Sequence, residues 1–178
     1  MEIKRELLLN RLMGLRHNKM IKVVTGMRRC GKSYLLFNLF SDALEAEGVD
    51  EQHIIKINLE DRRNKALRDP DKLLEYIDSR LQDDKMHYIL LDEVQLVSEF
   101  EDVLNSYLQV ENADVYVTGS NARFLSKDVI TEFRGRGFEV RVHPLSFHEL
   151  RGAFQEEPIE QLWVNYMTFG GLPQVVNL

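Results

Sequence analysis

Cysteine is nearly absent: Cys30 is the only one in 178 residues, so no internal disulfide can form and no cysteine pair stands at metal-ligand spacing. Such usage suits a reducing compartment. Basic charge is also in deficit, with 29 acidic against 23 basic residues and a net charge of −6. That balance excludes a general attraction to nucleic acid or to an anionic membrane, while leaving room for a local basic patch. No apolar run approaches the ~18 residues that span a bilayer, and the charged start MEIKRE has no signal-peptide core. The expected location is the cytoplasm, with no membrane partner. Internal repeats, low-complexity tracts and long linkers are missing too. The histidines at 17, 53, 87, 143 and 148 are scattered. Only His143 and His148 stand close, a weak zinc signal, and all five read as ordinary surface or half-buried residues.

What the chain does contain is enough apolar residue, 44%, to fill the core of one domain. Leu7, Leu8, Leu12 and Leu15 recur at helical spacing, which predicts a helix over 3–16. MIKVVT at 20–25 reads as a strand, and Leu36, Leu39, Phe40, Ala43 and Leu44 as one face of a helix that Gly48 ends. HIIKINLE at 53–60 alternates as a strand does. Asp69 and Pro70 form an N-cap and first-turn pair ahead of a stripe of Leu73, Leu74, Ile77 and Leu81. YILL at 88–91 is continuously apolar, as in a strand buried on both faces. Ser98 with Glu101 predicts a capping box for a helix carrying Phe100, Val103, Leu104, Tyr107 and Leu108. DVYVT at 114–118, a helix over 124–133, and FEVRV at 138–142 follow, and Ser146 with Glu149 repeats the capping pattern. Pro158 and the cluster of Gly170, Gly171 and Pro173 flank a last helical stretch containing Leu162, Trp163, Tyr166 and Phe169. Five strands alternating with helices predict an α/β fold, a parallel sheet between two helical layers.

GMRRCGKS at 26–33 meets the pattern GxxxxGK[ST] between a strand and a helix. Backbone N–H groups of such a loop and the positive end of the helix dipole cradle phosphate oxygens. The binding segment is therefore Gly26, Met27, Arg28, Arg29, Cys30, Gly31, Lys32, Ser33 and Tyr34. Lys32 is expected at the β and γ phosphates and Ser33 on Mg²⁺. Asp92 and Glu93 end the apolar strand; Asp92 is a candidate Mg²⁺ holder, and Glu93 a candidate to orient or deprotonate water. Ser120 and Asn121 end another strand, and two readings fit them: a γ-phosphate contact, or a turn and helix cap. Glu60 and Asp61 read as a solvated acidic turn. Arg134 and Arg136, in FRGRG, are candidates for neutralising charge on a transferred phosphoryl group, set against a plain surface pair. Cys30 reads as a small loop residue. Asn18-Lys19 and Asn64-Lys65 lack the Asp of an Asn-Lys-x-Asp signature, which disfavours guanine nucleotides.

GMRRCGKS, YILLDEVQ, VTGSNA, FRGRG with VHPLSFHEL, and FGGLP, in this order, resemble the AAA-type ATPase domain of a large prokaryotic family. Its members usually continue into a C-terminal domain of unknown function, sometimes proposed to be nuclease-like. The resemblance runs from about Arg5 to Pro173 and implies a P-loop NTPase sheet in which the Walker A and Walker B strands are separated by the sensor strand. It implies ATP as the nucleotide, Ser120 or Asn121 as sensor, and Arg136 as the arginine of a GR motif, acting on a neighbouring subunit of a homo-oligomer. Residues 1–157 are then the ATPase core, and 158–178 the start of a C-terminal helical or lid element that the chain does not finish. The expected activity is Mg²⁺-dependent ATP hydrolysis coupled to movement of an attached domain or partner. A slow ATP-gated switch and a small-molecule kinase are the alternatives; the consecutive Asp92-Glu93 favours water over an organic acceptor.

Overall fold

Five strands, β1 (Ile21–Gly26), β2 (Ile54–Asn58), β3 (His87–Asp92), β4 (Ala113–Thr118) and β5 (Gly137–Val142), form one sheet in the order β2-β3-β4-β1-β5. Every pairing is parallel. The computed structural model describes residues 3–119, 133 and 135–176. β4 lies between β1 and β3, the order that the resemblance implies. The predicted helix over 124–133 lies outside the described residues except for Phe133, which is buried.

Period-two alternation sorts the strand side chains onto two faces. Ile21 and Val23, Ile55 and Ile57, Ile89 and Leu91, and Val115 and Val117 share one face. They pack under α4 (Pro70–Asp78), through Leu73 and Ile77, and under α5 (Phe100–Tyr107), through Phe100, Val103 and Leu104. Val24, Tyr88, Leu90, Tyr116, Val140 and Val142 point to the other face. There they meet Leu12 of α1 (Glu6–Gly14) and a helical stretch built of α2 (Lys32–Tyr34), a π-helical segment (Leu35–Phe40) and α3 (Ser41–Ala46). The result is a three-layer αβα sandwich, and its two covered faces explain the continuous apolar run of β3. Three helices follow β5: α6 (Phe147–Ala153), α7 (Ile159–Phe169) and α8 (Pro173–Val176). Among the described residues no helix is long and apolar enough to cross a membrane.

Local signals hold at two helix starts. Asp69 accepts the Lys72 N–H ahead of Pro70, and Ser146 with Glu149 closes a full capping box on α6. They fail at two other places. Glu99 rather than Ser98 caps α5, in the left-handed region with φ 53°, so no Ser98 capping box forms. Leu7 stands in solvent on α1, because only Leu12 of the predicted stripe is fully buried.

The most buried charge in the sheet is Lys22. Its ammonium pairs with the Asp114 carboxylate and donates to Met20 O at 2.9 Å, while Asp114 also accepts from His17 N and the Tyr116 hydroxyl. Burial pushes the Lys22 ammonium below its usual range, and Asp114 opposes the shift. Removing the carboxylate strands a buried cation, which costs about 3–5 kcal/mol in such pairs. Asp114→Ala is therefore expected to lower the free energy of unfolding by about 3 kcal/mol or more in urea titrations, and a loss below about 1 kcal/mol would contradict this reading.

Candidate nucleotide site

The loop from β1 into α2 is shaped by two glycines. Gly26 has φ 146°, and a Cβ there would sit 2.3 Å from Val142 O, so any side chain would collide with β5. Gly31 has φ 95° and is the residue preceding the first helical turn, where Leu35 N donates to Gly31 O at 2.9 Å. Between them the side chains divide. Cys30 turns into the core with Sγ 3.5 Å from Val142 O, and burial pushes its thiol up, which suits a packing residue. Met27, Arg28 and Arg29 point outward. Arg28 meets Glu60 at 3.5 Å as an exposed pair of little energetic weight. Tyr34, on the first helical turn, is 45% exposed.

Lys32 is buried beneath the loop and donates to Gly26 O and Met27 O, each at 3.1 Å. An ammonium has three donors, so one remains for an anion lying over the loop. Ser33 Oγ donates to Asp92 Oδ1 at 2.8 Å, and Thr118 Oγ1 donates to the same oxygen at 2.5 Å. A hydroxyl beside a carboxylate is the hard oxygen pair that a hydrated Mg²⁺ prefers. Burial pushes the Asp92 carboxyl up, Glu93 adds to the shift, and the two hydroxyl donors with Lys32 hold it back.

Glu93 follows in the left-handed region, φ 57°, with its N–H bound to Thr118 Oγ1 at 3.0 Å. Its carboxylate accepts from Gln95 Nε2, and the other amide atom, Gln95 Oε1, is a buried acceptor with no partner among the described residues. Thr118 and Gln95 carry no sequence signal of their own beyond the motifs that contain them, DVYVT and YILLDEVQ. Asp61 is the turn residue that was expected. Its carboxylate accepts the Arg63 side chain and N–H, in that order of weight, and is held down to about 2.

Arg5 is the other residue that spacing did not reveal. It precedes α1 in the left-handed region and is buried. Its guanidinium reaches Cys30 O at 2.9 Å, His143 O at 2.7 Å and Glu149 Oε1 at 3.0 Å, tying the phosphate loop to the β5–α6 connection. Burial favours the neutral Glu149 carboxyl, but the Ser146 N–H and Arg5 outweigh it and hold the group below its usual range. The C-terminal segment closes on the phosphate loop through Arg29 Nη1, which donates to Gln174 Oε1 at 3.2 Å, and on the β5–α6 connection through Leu145 N, which donates to Gly171 O at 2.7 Å.

Lys32, Ser33, Asp92 and Glu93 thus meet at the carboxyl ends of β1 and β3, where open α/β sheets bind ligands. Ser120, Asn121 and Arg134 lie outside the described residues. Arg136 is not part of this cluster. It is exposed and its O accepts Ile21 N at 2.8 Å, at the start of β1 and β5, roughly 16 Å of strand from Gly26.

An uncharacterized Haemophilus influenzae protein is 32% identical over 179 residues, a match that takes in 98% of this chain and 44% of that protein. An uncharacterized Methanocaldococcus jannaschii protein is 28% identical over 168 residues, with 87% and 36% covered. The chain therefore spans less than half the length of these curated relatives. Among solved structures, the Aeropyrum pernix Orc1 protein in complex with DNA superposes with a TM-score of 0.61 at 16% identity, covering 98% of this chain and 58% of that one; this is a likeness of fold. The profile of the AAA domain family matches residues 18–151, a span that holds the phosphate loop, Asp92 and Glu93, and the chain belongs to that family of ATP-binding ATPase domains.

Proposed function

We propose that this chain is a Mg²⁺-dependent ATPase domain whose hydrolysis cycle moves an attached domain or partner. The observation that carries the reading is the single oxygen of Asp92 that takes both the Ser33 and the Thr118 hydroxyls, beside the buried Lys32. Lys32 donates to the β and γ phosphates, and the N–H groups of 27–33 with the start of the helical stretch receive the rest of the polyphosphate. Ser33 and Asp92 hold Mg²⁺, which when bound offsets phosphate charge. Glu93 orients and deprotonates the attacking water, with Gln95 holding its carboxylate and Thr118 its backbone. Ser120 or Asn121 senses the γ-phosphate from the end of β4.

Arg136 completes the site of a neighbouring subunit. It stands at the amino ends of the strands, beyond the reach of an arginine side chain from its own phosphate loop, and it faces solvent. Residues 1–157 form the core, and 158–178 a lid-like element whose Gln174 and Pro173 lie against Arg29 and Gly31. That contact offers a route from the phosphate loop to whatever follows α8. The reducing cytoplasm remains the fitting location.

Glu93→Gln is expected to keep ATP affinity and to slow phosphate release roughly a hundredfold or more. Hydrolysis at the normal rate would move the water-activating role elsewhere.

Asp92→Asn separates stability from function. A carboxyl whose folded pKa is raised binds protons more tightly in the native state, so its ionisation costs stability as pH rises from its ordinary value through the raised one. At neutral pH, with chelator and no nucleotide, Asp92→Asn should melt at the wild-type temperature or above, while losing the Mg²⁺-dependent part of ATP affinity. A lower melting temperature would contradict the assignment of Asp92 as a carboxylate held ionised at a cost.

Arg136→Ala and Lys32→Ala are each expected to be inactive alone and to recover activity on mixing, because one keeps the phosphate site and the other the finger. A finger contributes ~10³ to 10⁵ in rate. Full activity of Arg136→Ala by itself would overturn the shared site.

A further inference from the structure

At the end of the sheet opposite the phosphate loop, the register sets two histidines side by side. Ile54 of β2 pairs with Tyr88 of β3, so His53 and His87, each one residue earlier, are neighbours across the same ladder. Their rings stack edge to face with centroids 4.8 Å apart, and both are buried. Asp83, from the connection between α4 and β3, leans over the pair. His53 Nε2 lies 2.9 Å from Asp83 Oδ2, and His87 Nε2 lies 3.9 Å from Asp83 Oδ1. One ligand atom from each of the three falls within 4.8 Å of the others.

We propose that His53, Asp83 and His87 bind a divalent transition-metal ion of the zinc class. Two imidazoles and one carboxylate form a donor set that zinc accepts and that Mg²⁺ and Ca²⁺, which prefer all-oxygen shells, do not. Tetrahedral ligands at 2.0–2.2 Å from zinc stand about 3.4 Å apart, so the observed separations need only small side-chain movements to close on an ion.

The surroundings orient the ligands as metal sites require. His87 Nδ1 lies 2.8 Å from Lys85 O. A carbonyl only accepts, so in the neutral ring the proton sits on Nδ1, and the Nε2 lone pair faces Asp83. Two acceptors that face each other leave room for a proton or a metal cation between them. On His53, Nδ1 lies 3.6 Å from Asp50 Oδ2, so a small movement would let that carboxylate accept the Nδ1 proton once Nε2 is given to an ion. The Asp83 turn is itself pinned, with Lys85 N donating to Asp83 Oδ1 at 2.9 Å and Asn112 Nδ2 to Asp83 O at 2.8 Å. The ion would staple β2 at the sheet edge to β3 and to the loop before it, roughly 16 Å along β3 from Asp92.

The test is a Zn²⁺ titration of the whole chain against a chromophoric chelator, with excess Mg²⁺ present to keep Zn²⁺ from Ser33 and Asp92. One Zn²⁺ per chain is expected, and Co²⁺ in its place should give visible absorption bands of a four- or five-coordinate ion. In histidine-labelled protein, two of the five imidazoles should shift in the NMR spectrum, those of His53 and His87. Because Asp83 lies on an exposed turn, with its side chain 42% exposed, Asp83→Ala should fold normally and lose at least about tenfold in Zn²⁺ affinity. The absence of stoichiometric binding by the wild type, unchanged affinity in Asp83→Ala, or shifts confined to other histidines would each overturn the proposal.

Discussion

One carboxylate oxygen holds the nucleotide end of this molecule together. Asp92 Oδ1 takes hydroxyl donors from Ser33, on the first turn after the phosphate loop, and from Thr118, at the end of β4. Thr118 in turn accepts the Glu93 N–H, which sets the backbone that carries the candidate general base. Three chain segments thus converge on one buried anion whose ionised form is penalised by its surroundings. Such a node is costly in the isolated fold, and under the proposed function a cation held beside it would offset that cost, which would set stability against function at this residue.

The parallel sheet explains why the site forms where it does. With all strands running one way, the carboxyl ends of β1 and β3 and the end of β4 lie at one rim, and helices cover both faces. The opposite rim carries Arg136 and the pair His53 and His87. A group at that rim cannot act on the phosphate loop of its own chain, so its use lies in structure or in contact with another molecule. Arg5 does for the loop what the sheet does for Asp92, since one guanidinium fixes the carbonyls of Cys30 and His143 and the carboxylate of Glu149.

The layers, the five strands and the phosphate loop were legible because they are written in short-range patterns. A P-loop is eight consecutive residues, strand alternation spans six, and the caps at Asp69 and Ser146 need only neighbours. Thr118, Arg5 and the His53–His87 pair were not legible, because each acquires its role through a partner that folding brings near; Gln95, whose partner Glu93 is two residues away, belongs to no local pattern that marks it. Asp92 and Thr118 are 26 residues apart, and Arg5 and Glu149 are 144 apart. The two failed expectations have the same origin. Ser98 carries a good capping sequence, but the chain turns at Glu99 in the left-handed region instead, and Leu7 has helical spacing but, among the described residues, no layer above it to bury against.

The central claim is that Lys32, Ser33 and Asp92 form one Mg²⁺-nucleotide site. Its most direct test is calorimetric titration of the wild-type chain with ATP, once with Mg²⁺ and once with chelator. One ATP per chain is predicted, bound markedly more tightly with Mg²⁺ present, and with GTP a poorer ligand. Failure to bind ATP, or an affinity that Mg²⁺ does not change, would contradict the account.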